Sequence, residues 1–290
     1  MLHVDNPSPV RIRGFVARHP IAAFLIMVFS IAYPVMSLPI LAIHGVVPGG
    51  AVLRQLPVDP DELSGLVLTF VALLPAAIFV TWAAEGRQGL VRLRKRMTRW
   101  RIGLGWWLLV LTGLPLLTVA SGLLLGDSLQ SIDPAELLLV QLELLLINFV
   151  VNLWEEAAWA GVVQTRLERR HHAFVAGLLT AVPFGFAHWP LAFLGDFTAA
   201  SAMTSLGLFI LLGALVRPLL GLILRGGKDS LLAIAMTHSV FNHQQPGRNL
   251  GQHARRRRLP AGHPDRSAGS DDGSRPGAAR QARPGISSAA

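Results

Sequence analysis

Residues Ile21 to Ile43 read IAAFLIMVFSIAYPVMSLPILAI, a run without a single charged or amide side chain. With a rise of about 1.5 Å per residue, a helix of this length crosses about 30 Å of hydrocarbon. A secretory signal would show an apolar stretch of about 7–15 residues and a small-residue cleavage site. This run is longer and further apolar runs follow it, so it reads as an uncleaved membrane anchor. Working outward, comparable runs lie at about 63–84, 104–125, 137–163, 173–189 and 201–224. A seventh starts near Ser230 and stops at Asn242, only about 13 residues on. Backbone groups in lipid must be hydrogen-bonded within their own segment, so these runs are expected to be helices.

Composition agrees with the pattern. The 290 residues are 52% hydrophobic and 15% charged, with a mean hydropathy of +0.48. Soluble domains carry about a quarter charged residues. The expected fold class is therefore all-α, a polytopic transmembrane helical bundle of about seven helices, with the lipid bilayer as its first partner. There are no cysteines, which excludes disulfides, thiol nucleophiles and thiolate metal sites. No internal repeat is visible, and a solute transporter would be expected to show repeats or paired broken helices.

The net charge of +9 does not indicate nucleic acid, because its distribution is that of a topology signal. Seven basic residues fill the segment from Arg87 to Arg101, read here as a loop. Arg166, Arg169 and Arg170, then Arg225 and Lys228, fill the next two connections on the same side. The opposite connections, 44–62, 126–136 and 191–200, hold Arg54 as their one Lys or Arg. The second of them is acidic, with Asp127, Asp133 and Glu136 at or near it. The expectation is a multi-pass protein of the cell membrane with a cytoplasmic N-terminus. After Asn242 the pattern stops. Gly, Pro, Ser, Ala and Arg dominate, including Arg255-Arg256-Arg257-Arg258. Such composition cannot bury a core and predicts disorder. Its charge would also lie on the wrong side after seven spans; a natural basic tail, a seventh helix that does not fully cross and a reading-frame error in the gene compete as explanations, and the last is preferred. The chain thus divides into N-terminal helices with a basic cytoplasmic loop (1–136), a helical core (137–242) and a basic tail (243–290).

Ionisable side chains within spans are costly and usually functional. The fourth run carries Glu143 and the stretch Trp154-Glu155-Glu156-Ala157-Ala158-Trp159-Ala160-Gly161. Adjacent carboxylates project about 100° apart on a helix, so one can face a cavity while the other orients it. Burial and mutual repulsion favour a general base working near neutral pH. The fifth run ends in Phe184-Gly185-Phe186-Ala187-His188, and the seventh in His238-Ser239-Val240-Phe241-Asn242. In each, residues four apart share a face. An imidazole can hold a water or a metal, and an asparagine amide can donate to an oxyanion. The bland alternatives are inter-helical hydrogen bonds and a lone interfacial histidine. No His-Glu-x-x-His motif, Gly-x-Ser-Gly motif or intramembrane aspartate pair is present; Leu194-Gly195-Asp196 falls in a connection.

The order Glu-Glu-x-x-x, Phe-x-x-x-His, His-x-x-x-Asn resembles the CAAX-protease and bacteriocin-processing family, whose members are intramembrane glutamic endopeptidases. The resemblance covers about residues 137–242, and Trp159 matches a tryptophan frequent in its bacterial branch. It implies a membrane-embedded hydrolase cleaving a peptide or membrane protein without a cofactor. By that resemblance Glu155 is the base, Glu156 its orienting partner, His188 a helper, and His238 with Asn242 the oxyanion donors. The first motif departs from the family pattern at its arginine, which is Ala160 here. Two alternatives follow: an immunity or scaffold protein of the same fold, to which Ala160 points, and a zinc protease using Glu156, His188 and His238, an acceptable ligand set for zinc. Depth poses one difficulty. Glu156 lies 10 residues before Arg166 and His238 lies 9 after Asp229, but His188 lies 18 after Arg170. The fifth helix must start later than residue 173 or be strongly tilted.

Overall fold

The computed structural model describes residues 9–56, 58, 60–124, 142, 148–195 and 198–243. These residues are helical, with no strand among them. A short helix α1 (Pro9–Arg18) leads into α2 (Pro20–Ile43), with a proline in its first turn, where no intrahelical N–H is needed. α3 (Gly50–Gln55) follows, then α4 (Pro60–Val67), a wide turn at Leu68–Leu73 and α5 (Leu74–Met97). α6 is Leu104–Leu124. α7 runs over 148–167 and contains a π-helical turn at Trp159–Gln164. α8 (Ala173–His188) passes into a 3₁₀ turn at Trp189–Phe193. α9 (Ala199–Gly226) and α10 (Leu231–His243) complete the bundle.

Among the described residues four helices are long and apolar enough to cross a membrane, as a multi-pass protein requires: Pro20–Ile43, Glu62–Met97, Ala173–Phe193 and Ala199–Gly226. They correspond to the first, second, fifth and sixth runs. Leu104–Leu117 and Leu231–Asn242 are shorter apolar helices. The acidic connection at 126–136, Glu143, Asp196 and the tail from residue 244 lie outside the described residues. Large apolar side chains face outward on several helices, including Ile26, Leu38, Leu116, Leu117, Met203, Leu211 and Leu215. A surface so apolar suits hydrocarbon and not water.

The segment from Arg87 to Arg101 is not a loop. It stays helical as far as Met97, after one break at Gly86 (φ 66°, ψ −162°), a conformation open essentially to glycine alone. The neighbouring Glu85 accepts from Arg92 Nη2 at 2.8 Å and from Arg166 Nη2 at 2.5 Å. Those bonds pin the basic half of α5 against α7. Arg96 then pairs with Asp229 at 2.7 Å and donates to Thr165 Oγ1 at 2.9 Å. Arg99 donates to the Lys228 carbonyl, and its own carbonyl accepts from Ser230 Oγ at 2.5 Å. Ser230 Oγ also accepts from Ala233 N at 3.1 Å, which caps α10. The arginines are therefore the clamp that sets where α10 begins.

α7 lies at the centre. Residues 155–164 are buried without a break, so this stretch of the helix has no lipid face. Trp159 packs edge-on between Phe24 of α2 (5.7 Å between ring centroids) and Phe184 of α8 (5.6 Å). Each such pair adds about 0.5–1.5 kcal/mol beyond area burial. Ala157 and Ala160 face the other way, into a cluster with Leu220, Leu231 and Ile234. α8 and α9 meet through small residues spaced by four, Gly177, Ala181 and Gly185. A Cβ at Gly177 would lie 2.6 Å from Pro218 N, and one at Gly185 would lie 2.9 Å from Ile210 N. Lipid tails are as apolar as leucine, so close backbone approach is what drives such pairs together.

Candidate active site

The three motif helices place their polar side chains in one cluster. Glu156 on α7 is fully buried. Arg217 on α9, 1% exposed, donates to both its oxygens, Nη1 to Oε2 and Nη2 to Oε1, each at 2.8 Å. His238 Nδ1 on α10 lies 2.7 Å from Oε1 of the same carboxylate. A carboxylate held by a guanidinium can only accept, so His238 donates through Nδ1 and leaves Nε2 for another partner.

Glu155 differs from its neighbour. It is buried, and its Oε1 has no hydrogen-bond partner. His188 Nε2 lies 3.5 Å from that oxygen. His188 Nδ1 lies 2.8 Å from the Phe184 carbonyl. A carbonyl cannot donate, so the ring proton sits on Nδ1, and in the neutral ring Nε2 is a bare acceptor facing Glu155. Two acceptors face each other across a gap that a donor from outside must fill.

α8 starts at Ala173, so a late start does not account for the depth of His188. His188 is its final residue, and the imidazole still meets Glu155. Phe184 ties the two halves together: its ring lies 4.4 Å from His188, 6.3 Å from His238 and 4.5 Å beneath the Arg217 guanidinium. The buried layer is Glu156, Arg217 and Trp159, while Phe184, His188 and Asn242 are partly exposed. Asn242 Nδ2 donates to Asn152 Oδ1 at 3.3 Å. Asn152 Nδ2 donates to Ser239 Oγ at 2.9 Å, and Ser239 Oγ to the Ala235 carbonyl at 2.8 Å. That chain fixes which way both amides point.

Residues 138–243 match the family model for type II CAAX prenyl endopeptidase Rce1-like. Over this stretch, less than half of the chain, the protein is similar to that family. No curated protein matches the chain. Similarity to that family points to a peptidase acting in the membrane on a peptide substrate. All five side chains singled out in the sequence lie within the matched stretch. Glu155 and His188 form one pair, and Glu156 and His238 another. The alternative zinc set does not converge. Glu156 has both oxygens committed to Arg217 and His238, and His188 faces Glu155. Among the described residues no three His, Cys, Asp or Glu side chains are grouped to hold a metal ion.

Two polar residues of the cluster were not anticipated. Arg217 is an ionisable residue inside an apolar run, and the rule that flagged the glutamates applies to it equally. Asn152 lies three residues before Glu155 and carries no spacing signal of its own.

Proposed function

We propose that this protein is an intramembrane endopeptidase in which Glu155 activates water, and that His188 shares that water. The observation carrying the reading is the contrast between the two glutamates. Glu156 is saturated by Arg217 and His238, whereas Glu155 Oε1 is buried, unpartnered and 3.5 Å from an acceptor nitrogen. A water donating one hydrogen to Glu155 and the other to His188 Nε2 presents its oxygen lone pairs outward. It attacks the carbonyl carbon of the scissile peptide while Glu155 takes its proton. His238 and the second Asn242 N–H stabilise the oxyanion. The proton on Glu155 then passes to the leaving amine, the C–N bond breaks, and a carboxylic acid and an amine remain, the second water proton staying on the acid.

Ala160 on its own points to a scaffold protein without activity. Arg217 weighs on the other side, because a cation reaches Glu156 from α9 instead. The topology we propose has seven crossing helices, including the short α10, with the N-terminus in the cytoplasm. The core of residues 137–242 carries the chemistry.

The test is cleavage by the purified full chain of a panel comprising prenylated C-terminal peptides, leader peptides and membrane-protein segments. Glu155→Ala serves as the control. Cleavage by the wild type, absent in Glu155→Ala and unchanged by a chelator, is the expected outcome. Activity lost to chelator and restored by zinc would instead establish the metalloprotease alternative. Cleavage of nothing in the panel would favour the scaffold.

A further inference from the structure

Arg217 is anchored at both ends. Its carbonyl accepts from Gln164 Nε2 at 3.2 Å. On the α8 side, Gly177 comes so close that a Cβ there would lie 2.9 Å from the Arg217 carbonyl carbon. The guanidinium, in turn, is gripped by Glu156 along its edge and by the Phe184 ring on its face. A guanidinium fork matches the plane of a carboxylate, so a two-bond pair fixes orientation as well as charge. Orientation is what His238 needs, since its Nδ1 is bonded to one of the two pinned oxygens. The same guanidinium covers Phe184, whose carbonyl sets the proton position of His188. Ala160, one turn after Glu156 on α7, contributes no charge.

We propose that Arg217 is the positioning residue of the site: it sets the plane of the Glu156 carboxylate and, through it, the direction of the His238 imidazole. It touches no substrate in this scheme. The inference rests on the endopeptidase reading for its rate measurements and on the pair itself for the rest. The bland reading, a buried ion pair that only holds α7 to α9, makes different predictions.

The test uses the full chain in nanodiscs as wild type, Arg217→Lys, Arg217→Gln, Glu156→Gln and the double variant Arg217→Gln/Glu156→Gln. Unfolding midpoints are measured for all five, and kcat and KM on a peptide that the wild type cleaves. Arg217→Gln is expected to lower kcat on the order of 10²-fold, with KM within about threefold of wild type. Arg217→Lys keeps the charge and loses the fork, and is expected to lose about tenfold in kcat with a smaller fall in midpoint. The double variant leaves no uncompensated buried charge, so its midpoint recovers above the sum of the two single losses. Its turnover stays lost. If Arg217→Gln fails to fold, the lysine and double variants carry the test. Turnover that returns in the double variant together with the midpoint would overturn the inference, as would a kcat for Arg217→Gln within about twofold of wild type. A wild type that cleaves nothing sinks the endopeptidase reading alone. The imidazole NMR signal of His238 and the midpoints then decide: a signal displaced in Arg217→Gln supports the positioning role, and an undisplaced signal or simple additivity of the midpoints overturns it.

Discussion

Glu155 and Glu156 are neighbours in sequence, yet their replacement by glutamine is expected to have opposite signatures. Glu156→Gln removes the charge that compensates a fully buried Arg217 and takes away an acceptor of two guanidinium bonds. Breaking a buried pair by removing one partner costs about 3–5 kcal/mol. For a domain of 150–250 residues that corresponds to a fall in the unfolding midpoint of about 6–20 °C. Glu155→Gln breaks no bond as short as those, since its described neighbour is 3.5 Å away. Its stability should stay within about 1 kcal/mol of wild type. Its rate should fall about 10²–10⁴-fold, the range for loss of a general base. The assay pairs thermal unfolding of the purified variants in one detergent with peptide cleavage under the same conditions. Equal destabilisation by the two substitutions would refute the assignment of the saturated and free carboxylates. Retained cleavage in Glu155→Gln would refute its role as base.

Other outcomes follow from the packing and the polar chain. Gly177→Ala places a Cβ 2.6 Å from Pro218 N and should cost about 1–3 kcal/mol. Gly207→Ala on the same helix pair meets nothing within 4 Å, so its midpoint should equal or exceed that of wild type; equal losses would contradict the close approach of α8 and α9. Asn152→Ala leaves the Asn242 amide without its acceptor and should cost about 1–3 kcal/mol. It should also lower kcat more than it raises KM, and an unchanged kcat would remove Asn242 from the oxyanion scheme. Because the chain has no native cysteine, single cysteines report topology directly. Arg94→Cys should be shielded from an impermeant thiol reagent added to intact cells and Val46→Cys labelled by it; the reverse pattern would invert the orientation.

Much of the bundle was legible before any coordinate. Hydrocarbon selects for length and apolarity segment by segment, so the runs at 21–43, 63–84, 173–189 and 201–224 announced helices by local composition alone. The residue types of the site were legible for the same reason, because a carboxylate or imidazole in such a run stands out against its neighbours. Charge placement did not reveal the local structure of its own segment: much of Arg87 to Arg101 is helix clamped to α7 and α10.

The sequence by itself determined an all-α membrane-crossing chain with glutamates, histidines and an asparagine carried on three of its helices. Only the tertiary structure decided which glutamate is saturated and which is free. The deciding contacts join Glu156 to Arg217 across 61 residues and to His238 across 82. No local pattern encodes such pairings. They depend on how far α9 can approach α8, which Gly177, Ala181 and Gly185 permit, and on where α10 starts, which Arg96 and Arg99 set.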